Sequence, residues 1–144
     1  MRKLVAALAV VAALAVASAA AAAGSPSVRF VTPKQHATTG STVTFTVKLT
    51  NFKLDPKHVG MTKTANHGHL HFQMDGGKYD YPKYSGPNGK LAAQLGIAGK
   101  YSPSVTPSST YKHLAHGSHH LVVFLANNDH SPIGPKASIT FTVR

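Results

Sequence analysis

The stretch Val43-Thr44-Phe45-Thr46-Val47-Lys48-Leu49-Thr50 decides the fold class of this 144-residue chain. Apolar and polar residues alternate along it without interruption, as they do in a β-strand that buries one of its two faces. The same period of two returns in residues 70–74 and 139–143, and residues 121–125 are apolar throughout. Clusters of Gly, Pro and Asn separate these runs, and such clusters form turns. The sequence therefore predicts an all-β sandwich.

One long segment, residues 76–109, departs from this alternation. It is rich in Gly, Pro, Tyr and Ser, and loops of this length are usually functional or mobile. It could form a contact surface of tyrosines and lysines, or a flap over the edge of a sheet. We predict a single immunoglobulin-like antiparallel β-sandwich domain of about seven strands over residues 24–144, with 76–109 as its long loop.

The first 23 residues have the three parts of a secretory signal peptide. Arg2 and Lys3 precede an apolar run of Leu, Val and Ala, and small residues up to Ala23 offer a cleavage site. An uncleaved membrane anchor is the alternative, since the run is long enough to span a bilayer. With a signal peptide at its N-terminus, the protein is predicted to be exported to the periplasm, the cell wall or the extracellular space.

The composition of residues 24–144 restricts the chemistry that this domain can perform. It has no Cys, which excludes disulfides and thiolate metal sites, and no Glu. Thirteen Lys and Arg residues stand against four Asp, a net charge of +9 with neutral His. Outside the cytoplasm such a basic protein meets a membrane surface or an anionic cell-wall polymer, and we do not expect nucleic acid as a partner.

Ten histidines are the most unusual feature of the composition, and the densest group lies in His67-Gly68-His69-Leu70-His71-Phe72-Gln73-Met74-Asp75. On a strand, the apolar residues at 70, 72 and 74 face the core, while the histidines at 67, 69 and 71 share the other face. Imidazoles spaced by two residues can bind one ion, and neutral imidazole suits zinc, copper and nickel. A hydrogen-bonded polar face is the alternative interpretation.

A second group of histidines surrounds the strand at 121–126, with His119 and His120 before it and His130 after it. In an immunoglobulin-like chain order this strand is the sixth and that of residues 67–74 the third, and these two are antiparallel neighbours. We expect the start of the third strand to lie near His130, and His71 to pair with His120. His119 could instead only hydrogen-bond a loop backbone. The predicted metal ligands are His67, His69, His71, His120 and His130.

Three segments together carry a resemblance to a known family: Gly68-His69-Leu70-His71, Leu114 to His119, and Leu125-Ala126-Asn127-Asn128-Asp129-His130. They resemble a family of small exported bacterial immunoglobulin-like domains of uncharacterised function with a Gly-His-x-His strand. The resemblance covers residues 28–144 apart from the long loop, and it implies functional positions at His69, His71, Asp75, His119 and His130. A looser likeness connects the chain to periplasmic copper-carrier sandwiches, although their N-terminal His motif is missing here.

These observations lead to two predicted functions. The first is a non-catalytic metal-binding module for copper or zinc, whose binding fades as pH falls through the His range. The second is an adhesive or structural module at the cell surface that contacts anionic polymers. We do not expect an enzyme, because only four carboxylates are present and no nucleophile elbow or phosphate-binding loop occurs.

Overall fold

The computed structural model describes residues 24–80 and 101–144. Nine strands and one short 3-10 turn, Asp75–Gly77, occur in these two ranges. The strands are β1 Ser27–Thr32, β2 Thr38–Thr39, β3 Val43–Thr50, β4 Lys53–Leu54, β5 His67–Met74, β6 Ser102–Ser104, β7 Ser108–Tyr111, β8 Gly117–Asn127 and β9 Pro132–Val143. The predicted signal peptide at 1–23 and the central part of the predicted loop, 81–100, lie outside the described residues.

The strands form two sheets. One has the order β1-β3-β7, and the other has the order β2-β9-β8-β5-β4, with β6 added alongside β5. All pairs of longer strands are antiparallel, and only the two-residue strands β2 and β4 pair in parallel. This arrangement confirms the predicted immunoglobulin-like sandwich. The count of nine strands exceeds seven only by β2 and β4.

A single core lies between the two sheets, and alternating residues of both fill it. Phe45 of β3 is fully buried and meets Phe141 of β9 edge to face, with ring centroids 5.3 Å apart. The burial pattern of β3 alternates over Val43–Val47, as its sequence predicts. Removal of these apolar faces from water is the main force that holds the sheets together.

The last residues of the segment predicted as a loop form strands β6 and β7. Their sequences, Ser-Pro-Ser and Ser-Ser-Thr-Tyr, carry almost no apolar alternation. They become strands because β5 and β3 offer free edges to pair with, and the local sequence does not signal such long-range pairing.

Asp80 connects the two sheets at the start of the long segment. Its carboxylate accepts hydrogen bonds from the Met74 amide at 2.7 Å, from the Ser102 hydroxyl at 2.6 Å and from the Tyr111 hydroxyl. These donors belong to β5, β6 and β7, so one side chain joins strands of both sheets. No helix among the described residues is long and apolar enough to cross a membrane.

Candidate metal centre

Three histidines from two parts of the fold meet on one side of the larger sheet. His69 and His71 lie on β5, and His130 lies in the turn between β8 and β9. Their exposed fractions are 0%, 1% and 2%. At His69 and His71 the face of β5 opposite the core is therefore buried as well, so other parts of the protein cover these imidazoles.

The pairing of β5 with β8 brings the three residues together. The two strands are antiparallel neighbours, as predicted for the third and sixth strands, and Gly68 lies opposite Asn127. A Cβ at position 68 would collide with the carbonyl oxygen of Ala126, so only glycine permits this close approach. Because β8 ends beside the start of β5, the turn that follows it reaches the histidines of β5.

The turn that carries His130 is closed by several hydrogen bonds. The Asn127 amide donates to the Ser131 carbonyl at 2.9 Å, and the His130 amide donates to the Asn127 carbonyl at 3.0 Å. The Asp129 carboxylate accepts a bond from the Ser131 amide at 3.0 Å. His130 itself has a φ of 65°, a left-handed conformation that such a closed turn imposes. Its ring is thus oriented by the backbone.

The ring nitrogens of the three histidines are gathered around His69. Its Nε2 lies 3.0 Å from Nε2 of His71 and 3.0 Å from Nδ1 of His130. All three ligand atoms lie within 4.8 Å of one another. Zinc binds imidazole at about 2.0–2.1 Å, so two nitrogens on one tetrahedral ion are about 3.3 Å apart. The two distances to His69 are therefore within about 0.3 Å of the spacing that one ion requires.

Burial keeps these imidazoles neutral. Together, burial and the smaller effects of the neighbouring rings of His71 and His130 lower the pKa of His69 from 6.5 to about 2. Burial also lowers the pKa of His71, to about 3. The pKa of His130 is lowered by burial as well, although the carboxylate of Asp129 opposes the shift. Neutral imidazole is the form that binds metal ions.

Aromatic rings pack against His71. Tyr101 stacks on its imidazole with centroids 5.5 Å apart and an angle of 14° between the planes. Phe124 of β8 meets the same imidazole edge to face at 5.2 Å. The stacking of Tyr101 on His71 could not be predicted from the sequence, because it depends on the pairing of β6 with β5.

The other two predicted ligands lie elsewhere. The side chain of His67 is 33% exposed, and its Nδ1 lies 3.9 Å from the Asp55 carboxylate. His120 is exposed on β8. The expected pairing of His71 with His120 is wrong, because the register sets His71 opposite Phe124, four residues further along β8. Among the predicted five, the structure brings together only His69, His71 and His130.

Asp75 and His119, two positions implied by the resemblance, form a separate contact. Nδ1 of His119 lies 2.7 Å from the Asp75 carboxylate, which also accepts a hydrogen bond from the His120 amide at 2.8 Å. Nε2 of His119 lies 2.7 Å from the Ala115 carbonyl oxygen. The loop-backbone contact considered for His119 is thus confirmed, and this pair connects the 3-10 turn to the start of β8.

No protein-family model and no curated protein matches the sequence. Among solved structures, the chain is similar to a fibronectin(III)-like module of CbhA from Clostridium thermocellum. The TM-score is 0.43 at 13% sequence identity, over 81% of this chain and 96% of the module. The resemblance to small exported domains with a Gly-His-x-His strand stays a prediction, and the site residues alone carry the functional inference.

Proposed function

We propose that this chain is an exported, non-catalytic domain that binds one copper or zinc ion through His69, His71 and His130. The observation that carries the proposal is the gathering of three buried imidazoles whose ligand atoms all lie within 4.8 Å of one another. Burying three polar imidazole rings has an unfavourable desolvation free energy, which other interactions must compensate. A bound metal ion would add to the compensation that the contacts between the rings, at 3.0 Å, already provide.

The donor set supports a borderline transition metal. All three donors are imidazoles, which suit zinc, copper and nickel, whereas magnesium and calcium prefer oxygen ligands. The chain has no thiolate, and the thioether of Met61 is more than half exposed on a loop. A divalent ion therefore fits better than Cu(I), which prefers sulfur ligands.

The burial of the ligands supports binding rather than catalysis. None of the three histidines is more than 2% exposed, and the Tyr101 and Phe124 rings pack beside His71. A metal-dependent hydrolase needs an open coordination position that its substrate can reach. The enclosure of these rings supports holding or carrying an ion, in the extracytoplasmic space that the N-terminal segment predicts.

Calorimetric titration of the purified, chelator-treated protein with Cu(II) and with Zn(II) at pH 7.4 tests this function. We expect at least one of the two ions to bind one site with a Kd tighter than ~100 µM, because three preorganised imidazoles are available. Weaker binding of both ions would contradict the proposal. A His116→Ala variant, which removes an exposed histidine, serves as the control and should bind like the parent protein.

The distribution of charge favours a second candidate function, adhesion to an anionic polymer. Every Lys and Arg within 24–80 and 101–144 is exposed, whereas all four Asp are half-buried. Those carboxylates are bonded to neighbours such as His58, His119 and Tyr111. The exposed positive charge is thus poorly compensated, which attracts polyanions.

Salt-dependent retention on an anionic cell-wall polysaccharide tests this second function. We expect retention at about 20 mM salt and release by about 0.5 M salt, because the Debye length shrinks to a few ångströms over that range. Substitutions of His69, His71 or His130 should leave this retention unchanged, because the three positions are buried. Passage through the column without delay at low salt would argue against adhesion.

A further inference from the structure

A second group of His and Asp side chains, residue types that can bind metal ions, lies in a surface cavity of about 470 Å³ next to the start of β5. Asp55, His58 and His67 are among its walls. The carboxylate of Asp55 lies between the two imidazoles, with Oδ1 2.7 Å from Nδ1 of His58 and Oδ2 3.9 Å from Nδ1 of His67. We call this group the outer triad, and His69, His71 and His130 the inner triad.

The outer triad has the donor types of a metal site, and both of its imidazoles lie beside the same carboxylate. Among the described residues only the inner triad has its ligand atoms all within 4.8 Å of one another, so the outer triad is the more open group. The side chain of His58 is 56% exposed, so its imidazole is free to move towards an ion held by Asp55. The pKa of Asp55 is lowered, chiefly by its hydrogen bond to His58, with smaller contributions from Asn128 and His67, while burial opposes the shift.

Backbone hydrogen bonds fix the loop that carries this group. The Asp55 amide donates to the Gly68 carbonyl at 2.8 Å, and the Gly60 amide donates to the Asn128 carbonyl at 2.6 Å. The first bond ties the loop to β5, and the second ties it to the turn that holds His130. The loop is therefore anchored to both elements that carry the inner triad.

The position of His67 connects the two groups. It precedes His69 by two residues on the same face of β5, a distance of about 6.6 Å along a strand. The exposed fraction decreases along this face, from 33% for the His67 side chain to 0% for His69 and 1% for His71. Histidines thus continue from the wall of an open cavity to the buried inner triad.

We propose that the outer triad of Asp55, His58 and His67 is a capture site that loads a divalent copper or zinc ion into the inner triad. This inference rests on the proposed metal-binding function. The ion keeps its charge during transfer. Imidazoles of the inner triad replace the Asp55 carboxylate and the outer imidazoles one after another, so no oxidant or reductant takes part.

The charges around the cavity suit brief capture rather than storage. Lys53 and Lys57 also belong to its walls and are exposed. Two ammonium groups against one carboxylate weaken the attraction for a cation, so the outer triad should hold the ion loosely and release it quickly. The inner triad, with three neutral imidazoles, carries no such positive charge.

Stopped-flow mixing of the apoprotein with Cu(II) tests the proposal. Quenching of tyrosine fluorescence reports arrival at the inner triad, because Tyr101 stacks on His71. We expect His58→Ala and Asp55→Asn each to slow this quenching at least tenfold, while the Kd of the tight site changes less than threefold. We also expect the parent protein to bind a second, weaker equivalent of Cu(II) in a titration, and both variants to lose it. His116→Ala is the matched control.

The possible results separate the two proposals. Unchanged quenching rates in both variants would overturn the loading role, even if the tight site is intact. Loss of tight binding in His58→Ala would also overturn it, since the outer triad would then belong to the final site. Absence of any tight site in the parent protein would overturn the proposed function, and with it the loading role.

Discussion

Replacing His69 by leucine is expected to weaken the binding of Cu(II) or Zn(II) at least 100-fold. Nε2 of His69 lies 3.0 Å from the ligand atoms of both His71 and His130, so it occupies the middle of the inner triad. Removing a residue that hydrogen-bonds to a metal ligand commonly lowers the metal affinity about 10–100-fold. Removing the central ligand itself should therefore lower the affinity at least 100-fold. Competition with a chromophoric chelator at pH 7.4 measures the change.

The folded state should survive this substitution. Leucine has a shape similar to that of imidazole and needs no hydrogen bond, so the free energy of unfolding of the metal-free protein should change by less than about 2 kcal/mol. His130→Asn is a second suitable variant, because asparagine tolerates the left-handed backbone conformation at that position, where φ is 65°. It should also weaken binding, whereas the exposed His116→Ala should not.

Two results would contradict this assignment. If His69→Leu binds within threefold of the parent protein, the inner triad is not the site. If His116→Ala loses as much affinity as His69→Leu, the measured binding comes from scattered surface histidines. Urea unfolding of each variant confirms that a loss of affinity does not come from a loss of structure.

Acidification is expected to destabilise the metal-free domain by about 3 kcal/mol between pH 6.5 and pH 5, because the unfolded histidines go from half to almost full protonation over this range. The pKa of His69 falls to about 2 and that of His71 to about 3 in the folded state, while an unfolded histidine titrates near 6.5. Below pH 6.5 the unfolded chain therefore binds protons that the folded chain refuses. Each such histidine lowers stability by about 1.4 kcal/mol per pH unit.

The direction of these pKa shifts determines the pH range over which the domain loses stability. Stability from the neutral imidazoles is complete above pH 6.5 and declines as pH falls towards the folded-state values of about 2 and 3. A domain that is stable by about 5 kcal/mol at neutral pH, the lower end of the range for small domains, is therefore expected to unfold near pH 4–5. Urea titrations at a series of pH values, with a chelator present, measure the slope.

His69→Leu provides the internal control for the acid effect. It removes one of the two strongly shifted histidines, so the decline in stability should flatten by about 1.4 kcal/mol per pH unit. A free energy of unfolding that stays constant from pH 7 to pH 5 in the parent protein would contradict the neutral state of the triad. The same shifts revise the expected pH dependence of metal binding. Protons compete weakly for the folded site, so metal should be released by unfolding rather than by titration near pH 6.5.

The three gathered histidines show which features of the site can be predicted from sequence patterns. Alternation in residues 67–74 correctly predicts a strand with its apolar side chains in the core and its histidines on the opposite face. The immunoglobulin-like chain order correctly predicts that this strand neighbours β8, and thus that His130 comes close to its first residues. It could not predict the register, and the expected contact of His71 with His120 fails for that reason.

Asp55 has neighbours in the fold that the sequence did not predict. Its spacing of three from His58 is visible in the sequence, and the two side chains do form a 2.7 Å contact. Its proximity to His67 depends on the parallel pairing of β4 with β5, which involves only two residues of β4. Such short pairings leave no periodic signal, so only the folded chain shows that the three residues form one group.

The sequence by itself determined the strand pattern, the sandwich, the neighbouring positions of the two histidine-bearing strands and the absence of thiolate ligands. These follow from local alternation, composition and the few chain orders that sandwiches adopt. The tertiary structure decided that His69, His71 and His130 are buried and gathered while His67 and His120 remain apart. The physical reason is that a period of two assigns a side chain to a face of the sheet. Whether other parts of the chain cover that face, and which residue lies opposite it, depends on pairing between distant segments.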